Sequence, residues 1–361
     1  MPLSPLDAGA ACALSRFSGF GAARLRALYQ KTGSFLAATL ADRATLLQAG
    51  IPETQADAFL SWWQPSFIEK DAELLAAAGI RIIVPEDDSF PHLLKEIPDP
   101  PAFLHVRGAL AADAACIAVV GTRRATPYGM EIAREFSGHF SRTGVTVVSG
   151  LALGIDGAVH EAVLRTKGTT WAFLGSGIHQ KNLYPATHQP LAERIVAEGG
   201  ALLSEFPPGI MGMKFLFPIR NRLIAGVSLG VVVIEATERS GSLITAAAAT
   251  DYNREVFAVP GDIRRPTSAG PHALIQRGAT LAHTPADILA ALRLNKATPP
   301  KTTALSQEET ALLAHLSREP IFLDDLVRAL RVPSADIARE LSLLEMTGRV
   351  RAIPGGGWVR T

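Results

Sequence analysis

Six short apolar runs recur between residues 108 and 294, at 116–120, 145–148, 170–174, 201–203, 230–235 and 255–259. Helix-patterned stretches such as PYGMEIAREFSGHFSRTG and PLAERIVAEGG separate them. Apolar strands alternating with helices imply βαβ units and a parallel sheet covered on both faces. This pattern constrains the fold more than any other feature of the chain. In such a sheet, ligands bind off the carboxyl ends of the strands.

The chain has 361 residues, long enough for two or three domains. Residues 1–75 read as a small helical unit. RFSGFGAARLRALYQKTG and LLQAGIPETQADAFLSWW each place a glycine turn between helical patterns, in the manner of paired helix-hairpin-helix (SAM-like) motifs, whose turn amides can touch a DNA backbone. A packing unit without a ligand is the competing reading. Two short strands, 80–84 and 102–106, lead into the main α/β domain, 76–294. A polar linker at 295–304 follows. Residues 305–361 read as three helices and a β-wing, a winged helix. That segment holds seven Arg against eight Asp or Glu, and its third helix carries Asp336, Arg339, Glu340 and Glu345. Duplex binding needs several cations facing phosphates, so protein packing or an accessory role is expected instead.

The formal net charge is +1, so any anion site must be local. Cys12 and Cys116 form no disulfide framework, and Cys116, opening an apolar strand, reads as a buried thiol. No signal peptide is expected and no apolar run of about 18 residues occurs, so a cytoplasmic protein away from membranes is expected.

Glycines and hydroxyl residues recur after the strands: GTRR, SGLALGID, GSGIHQKNLYP, SEFPPG, EATERSGSLITAA and PGD. Backbone N–H groups there, with helix N-termini behind them, form an anion site. Glycine is also needed in βα turns that bind nothing. The recurrence of Ser149, Ser176, Ser240 and Ser242 beside these glycines favours the anion. The loop after the first strand has Gly121 and Gly129 but no G-x-G-x-x-G, and the chain has no P-loop, so no nucleotide cofactor is expected. Arg123 and Arg124 offer guanidinium forks to phosphate oxygens instead. A second basic cluster, Lys214, Arg220 and Arg222, surrounds Phe215 and Phe217. Cations following a backbone, with rings for bases, suit single-stranded nucleic acid. The alternative makes both rings core residues and the arginines the start of an amphipathic helix. Phe217, preceding Pro218, is expected in the loop before that helix. Asp156 and His160 share a helix face, but no further ligand joins them at metal spacing, and a structural hydrogen bond is the better reading.

Together VVGTRRATPYG, VVSGLALGIDGAVHEAVL, LYPATHQPLAERIVAEGGALLSEFPPG, FPIRNRLIAGVSLGVVVIEATERSGSLITAAAA, EVFAVPGD and GPHALIQRGA closely resemble the DNA-processing protein A family (DprA, also called Smf). The resemblance implies an extended Rossmann-like parallel sheet flanked by the helical and winged-helix units. It implies a non-enzymatic protein that binds and protects single-stranded DNA. Such proteins help load RecA recombinase in natural transformation and recombination. It places Gly121, Thr122 and Arg123 on DNA phosphates, and aligns Lys214 and Phe217 with the family's lysine and aromatic before the R-N-R triplet of Arg220 and Arg222. The Ser149-Gly150 turn would line the same pocket. Many members carry Trp or His ahead of R-N-R, where this chain has KFLFP. Family dimers form through the last part of the Rossmann domain, here GPHALIQRGATLA. A rival from another class is a nucleotide hydrolase similar to the cytokinin-activating phosphoribohydrolases. It shares the strand-end arginine and Glu235 but not the P-G-G-x-G-T loop.

Overall fold

The computed structural model describes residues 3–294, 307–317, 319–346, 349–353 and 357–360. The expected linker at 295–304 lies outside the described residues. Packing divides the chain into two compact units, 1–296 and 297–361.

The first unit holds a nine-stranded sheet: β1 (Arg81–Ile83), β2 (Leu104–Gly108), β3 (Cys116–Val120), β4 (Thr146–Ser149), β5 (Thr170–Phe173), β6 (Ala201–Ser204), β7 (Gly230–Val233), β8 (Glu255–Ala258) and β9 (Thr280–Leu281). Their spatial order is β1-β2-β6-β5-β4-β3-β7-β8-β9. Strands β3 to β9 run parallel, and β2 and β1 extend the sheet antiparallel beyond β6. The chain winds from β3 out to β6, then returns to place β7 on the other side of β3. That reversal opens a crevice at the carboxyl ends of β3 and β7.

Strand alternation builds two cores. In β3, Ile117 and Val119 face one side, with Phe136 and Phe140 of the helix Pro127–Arg142. Cys116, Ala118 and Val120 face the other, with Leu223 and Ile224 of the helix Leu216–Gly226. Cys116 is buried, and burial pushes its thiol well up. The six N-terminal helices, from Pro5–Ser15 to Ser66–Ala77, share a third core with the sheet. In it, Leu14, Phe35 and Phe59 join the cluster that includes Ala172 and Leu202.

His105 of β2 points into that region, edge-on to Phe103 at 5.4 Å. Burial pulls its pKa down to about 4, the Ser204 backbone only partly offsetting it. The folded protein therefore resists protonating it, while the unfolded chain protonates near 6.5. Its contribution to stability is full above about pH 6.5 and is lost as pH falls through about 4. Urea melts at pH 7.5 and pH 5 should show wild type losing about 2 kcal/mol more than His105→Leu. The comparison isolates the imidazole from Asp156 and Glu205, whose pKa values burial raises and which act in the opposite sense. Equal losses in both proteins would contradict it.

The second unit has helices Gln307–Ala314, Leu323–Leu330 and Ser334–Met346, with β10 (Ile321–Phe322), β11 (Val350–Ile353) and β12 (Gly357–Arg360). Its sheet is antiparallel in the order β10-β12-β11. Leu312, Leu326, Ile337 and Leu341 form its core. On the third helix Arg339 pairs with Glu340 at 3.2 Å, and Glu345 accepts from the Ala352 amide at 2.9 Å.

Candidate functional site

A cavity of about 440 Å³ lies at the crevice between β3 and β7. One wall is the loop after β3, with Gly121, Thr122, Arg123 and Arg124. The Thr122 amide donates to the Glu235 carbonyl at 2.7 Å, and the Arg124 amide donates to Thr122 Oγ1 at 3.2 Å. Gly121 must be small: a Cβ there would lie 2.6 Å from Ile155 Cγ1. Thr126 then caps the helix Pro127–Arg142, accepting from the Gly129 amide at 3.1 Å, with Pro127 at the first helical position.

Below the loop is Gly154, with φ 78° and ψ −125°, at the start of the helix Ile155–Arg165. Its α-carbon faces the Thr122 carbonyl and the Arg123 backbone, leaving no room for a side chain. The Ile155 amide donates to the Thr122 carbonyl at 3.3 Å.

Opposite stand Lys214 and Phe217. The Arg123 guanidinium carbon lies 4.8 Å from the Phe217 ring centroid, a cation–π contact. Phe217 is not in the preceding loop: the helix begins at Leu216 and includes it. A proline in the first turn removes an N–H that has no helical partner anyway, so Pro218 is tolerated there. Phe215 is 61% exposed and is no core residue.

The floor is Arg220, only 3% exposed. It donates to the Phe173 carbonyl at 2.7 Å. Burial lowers its pKa to about 10, with Asp156 resisting and Arg123 adding to the shift, so it stays charged at neutral pH. Asp156 is buried beside it and accepts from the Gly150 amide at 3.1 Å. Gly150 packs directly on the Arg220 guanidinium. A positive charge is thus fixed under the cavity, where water screens it little.

Not every expected residue reaches the cavity. Ser149 is fully buried, and its hydroxyl donates to the Val119 carbonyl at 2.7 Å. It ties β4 to β3 and supports the wall without lining it. Arg222 turns away, because residues two apart on a helix do not share a face. It pairs with Glu205 at 2.6 Å and Asp99 at 3.3 Å. The R-N-R triplet therefore gives the cavity one arginine. Ser240 and Ser242 line the far wall, their hydroxyls 2.8 Å apart, at the start of the helix Ser242–Asp251. Arg124 also lines the cavity, and its side chain is exposed.

Asp156 and His160 serve separate structural bonds. His160 Nδ1 lies 2.8 Å from Thr170 Oγ1, and burial pulls the imidazole down to about 3. Among the described residues no cluster of His, Cys, Asp or Glu could hold a metal ion. Glu235 is 2% exposed. It accepts from the Thr126 amide at 2.9 Å, the Thr126 hydroxyl at 2.6 Å and the Thr267 hydroxyl at 3.2 Å. It anchors the start of a helix and does not line the cavity.

Residues 81–293 match the family described as DNA recombination-mediator protein A. The chain belongs to that family. Residues 296–356 match the DprA winged helix domain, in keeping with the helices and wing of the second unit. Protein Smf of Escherichia coli K12 is 38% identical over 326 residues, covering 87% of this chain and 86% of the relative. DNA processing protein DprA of Bacillus subtilis 168 is 41% identical over 227 residues, 62% of this chain and 75% of that one. The crystal structure of DprA from Streptococcus pneumoniae superposes with a TM-score of 0.63 at 30% identity, covering 80% of this chain and 98% of that one. DNA processing protein A of Helicobacter pylori, whose structure is described by its single-stranded DNA binding mode, superposes with a TM-score of 0.51 at 26% identity, over 59% of this chain and 95% of that one. The Rossmann-like sheet with helical and winged-helix additions is thus the architecture of this DprA family member. None of its described helices is long and apolar enough to cross a membrane.

Proposed function

We propose that the chain binds single-stranded DNA in the cavity at the β3–β7 crevice and is a binding protein, not an enzyme. The observation that carries this is the fixed charge of buried Arg220 beneath a cavity walled by Arg123 and Lys214, with the Phe217 ring among them. Phosphates meet the cations and a base meets the aromatic, with Gly121 and Thr122 keeping backbone close to the strand, while Gly150, which does not line the cavity, supports Arg220 from behind. The Helicobacter pylori relative supports the choice of single-stranded DNA. The further roles rest on family membership: protection of the strand, loading of RecA recombinase, and pairing of two copies through the segment 270–282. They assume a cytoplasmic protein organised as 1–75, 76–294 and 305–361. The hydrolase reading is not favoured, because Glu235 spends its carboxylate on Thr126 and Thr267.

The test is fluorescence anisotropy of a labelled oligo-dT titrated with the full chain across a salt series. Nucleoside monophosphates are incubated with the protein in parallel. Affinity falling linearly with log salt is expected, with a slope of about −0.7 per neutralised phosphate. Release of free base, or no salt-dependent binding, would replace this reading.

A further inference from the structure

Phe217 is half-buried, and part of its ring is already covered by neighbours. Its ring lies against Gly175, where any Cβ would strike it. The Arg123 guanidinium sits over it at 4.8 Å. Tyr184 leans on it with ring centroids 5.5 Å apart and planes tilted by 44°.

Tyr184 itself is open. It is 46% exposed, and its hydroxyl makes no hydrogen bond among the described residues. A tyrosine built into a core would hide its ring and satisfy its hydroxyl. The surrounding loop is shaped to present this ring. The loop passes close to both rings at Gly212, where a Cβ would lie 3.0 Å from Tyr184 Cβ and 3.4 Å from Phe217 Cζ. On either side of it, Met211 and Met213 are exposed, as is Phe215. Tyr184 thus offers exposed aromatic surface in contact with Phe217, at the edge of the cationic cavity. An exposed ring beside a phosphate site suits a flat ligand with a π-face, and stacking on it is indifferent to base identity.

We propose that Tyr184 is a base-stacking side chain of the single-strand site, carrying the nucleobase next to the nucleotide whose phosphate meets Arg123 and Lys214. The inference rests on the proposed function of that cavity and extends it by one subsite. It also distinguishes two kinds of residue there. Arg123 and Lys214 read charge, whereas Tyr184 reads the presence of a base and is blind to salt.

The test uses the full chain and three variants, Tyr184→Phe, Tyr184→Leu and Tyr184→Ala. Each is titrated by anisotropy with labelled oligo-dT and with the same oligomer made of abasic sites. Loss of the ring should weaken oligo-dT binding about ten-fold in both the Leu and Ala variants, while Phe stays near wild type. The slope of log affinity against log salt should be the same in all four proteins, since every phosphate keeps its cation. On the abasic oligomer the four should bind alike. Wild-type affinity in Tyr184→Leu would show that the ring only buttresses Phe217, and would overturn the inference. So would a weakening that persists on the abasic oligomer. In either case wild type still binds oligo-dT, so the single-strand reading stands. If wild type binds neither oligomer, that reading fails and the subsite with it.

Discussion

Arg123→Glu is expected to weaken binding to oligo-dT by about a hundred-fold at moderate salt, since a carboxylate facing phosphate costs several kcal/mol. The slope of log affinity against log salt should flatten by about 0.7 for each phosphate left without its cation. Two effects combine. The exposed guanidinium disappears from the cavity mouth, where it now lies over Phe217. The new carboxylate also sits close to the charge of Arg220, whose pKa already responds to Arg123, and draws that positive field inward. Lys214→Glu should act in the same direction through the first effect alone. Arg165→Glu makes the same change in net charge at an exposed position, 69% accessible, at the far end of the helix Ile155–Arg165. Eleven helical residues put it about 15 Å from the strand ends. It should bind close to wild type. Equal affinity for Arg123→Glu and wild type would remove Arg123 from the site.

Gly154→Ala is expected to cost about 3 kcal/mol in urea melts and to impair binding in the protein that remains folded. At φ 78° and ψ −125° the residue occupies a region that side-chain-bearing residues enter only under strain. The added methyl would also press on the Thr122 carbonyl and lie 2.8 Å from the Arg123 carbonyl carbon. Those are backbone atoms of the cavity wall, and they cannot rotate away. Gly144 is the control. Its φ is 80°, but a Cβ there meets nothing within 4 Å. Gly144→Ala should therefore cost only the backbone share, about 1 kcal/mol, and leave oligo-dT binding intact. If the two variants lose the same stability and bind equally well, crowding of the loop is not what Gly154 prevents.

The sheet is legible in the sequence because its central strands are buried on both faces and so read as unbroken apolar runs. The edges are not. Thr280–Leu281 is two residues long and exposed, and Ile321–Phe322 is equally short, so neither carries a pattern. The cavity is half legible. GTRR and Lys214 follow from where strands end and cations cluster. The triplet Arg220-Asn221-Arg222 looks like one basic patch, and only helix phase shows that its two arginines point to different neighbours. Ser149 looks available beside a glycine, yet it is spent on the Val119 carbonyl. Pro218 argues for Phe217 in a loop, but that rule yields in the first turn of a helix. Nothing in the spacing of LYP brings Tyr184 to Phe217, because the two meet only through the tertiary path of the loop after β6.

The reversal of winding between β6 and β7 has a consequence for how the protein comes to life. The cavity's near wall is residues 121 to 124, but its far wall is not made until residues 237 to 245, more than a hundred positions later. A nascent chain that has completed β3 to β6 has its Arg123 loop facing solvent, without Arg220 beneath it or Glu235 behind it. Contacts so distant in sequence form late. The cavity is therefore complete only once β7 and the helix Ser242–Asp251 are in place, and a fragment that ends before them lacks its far wall.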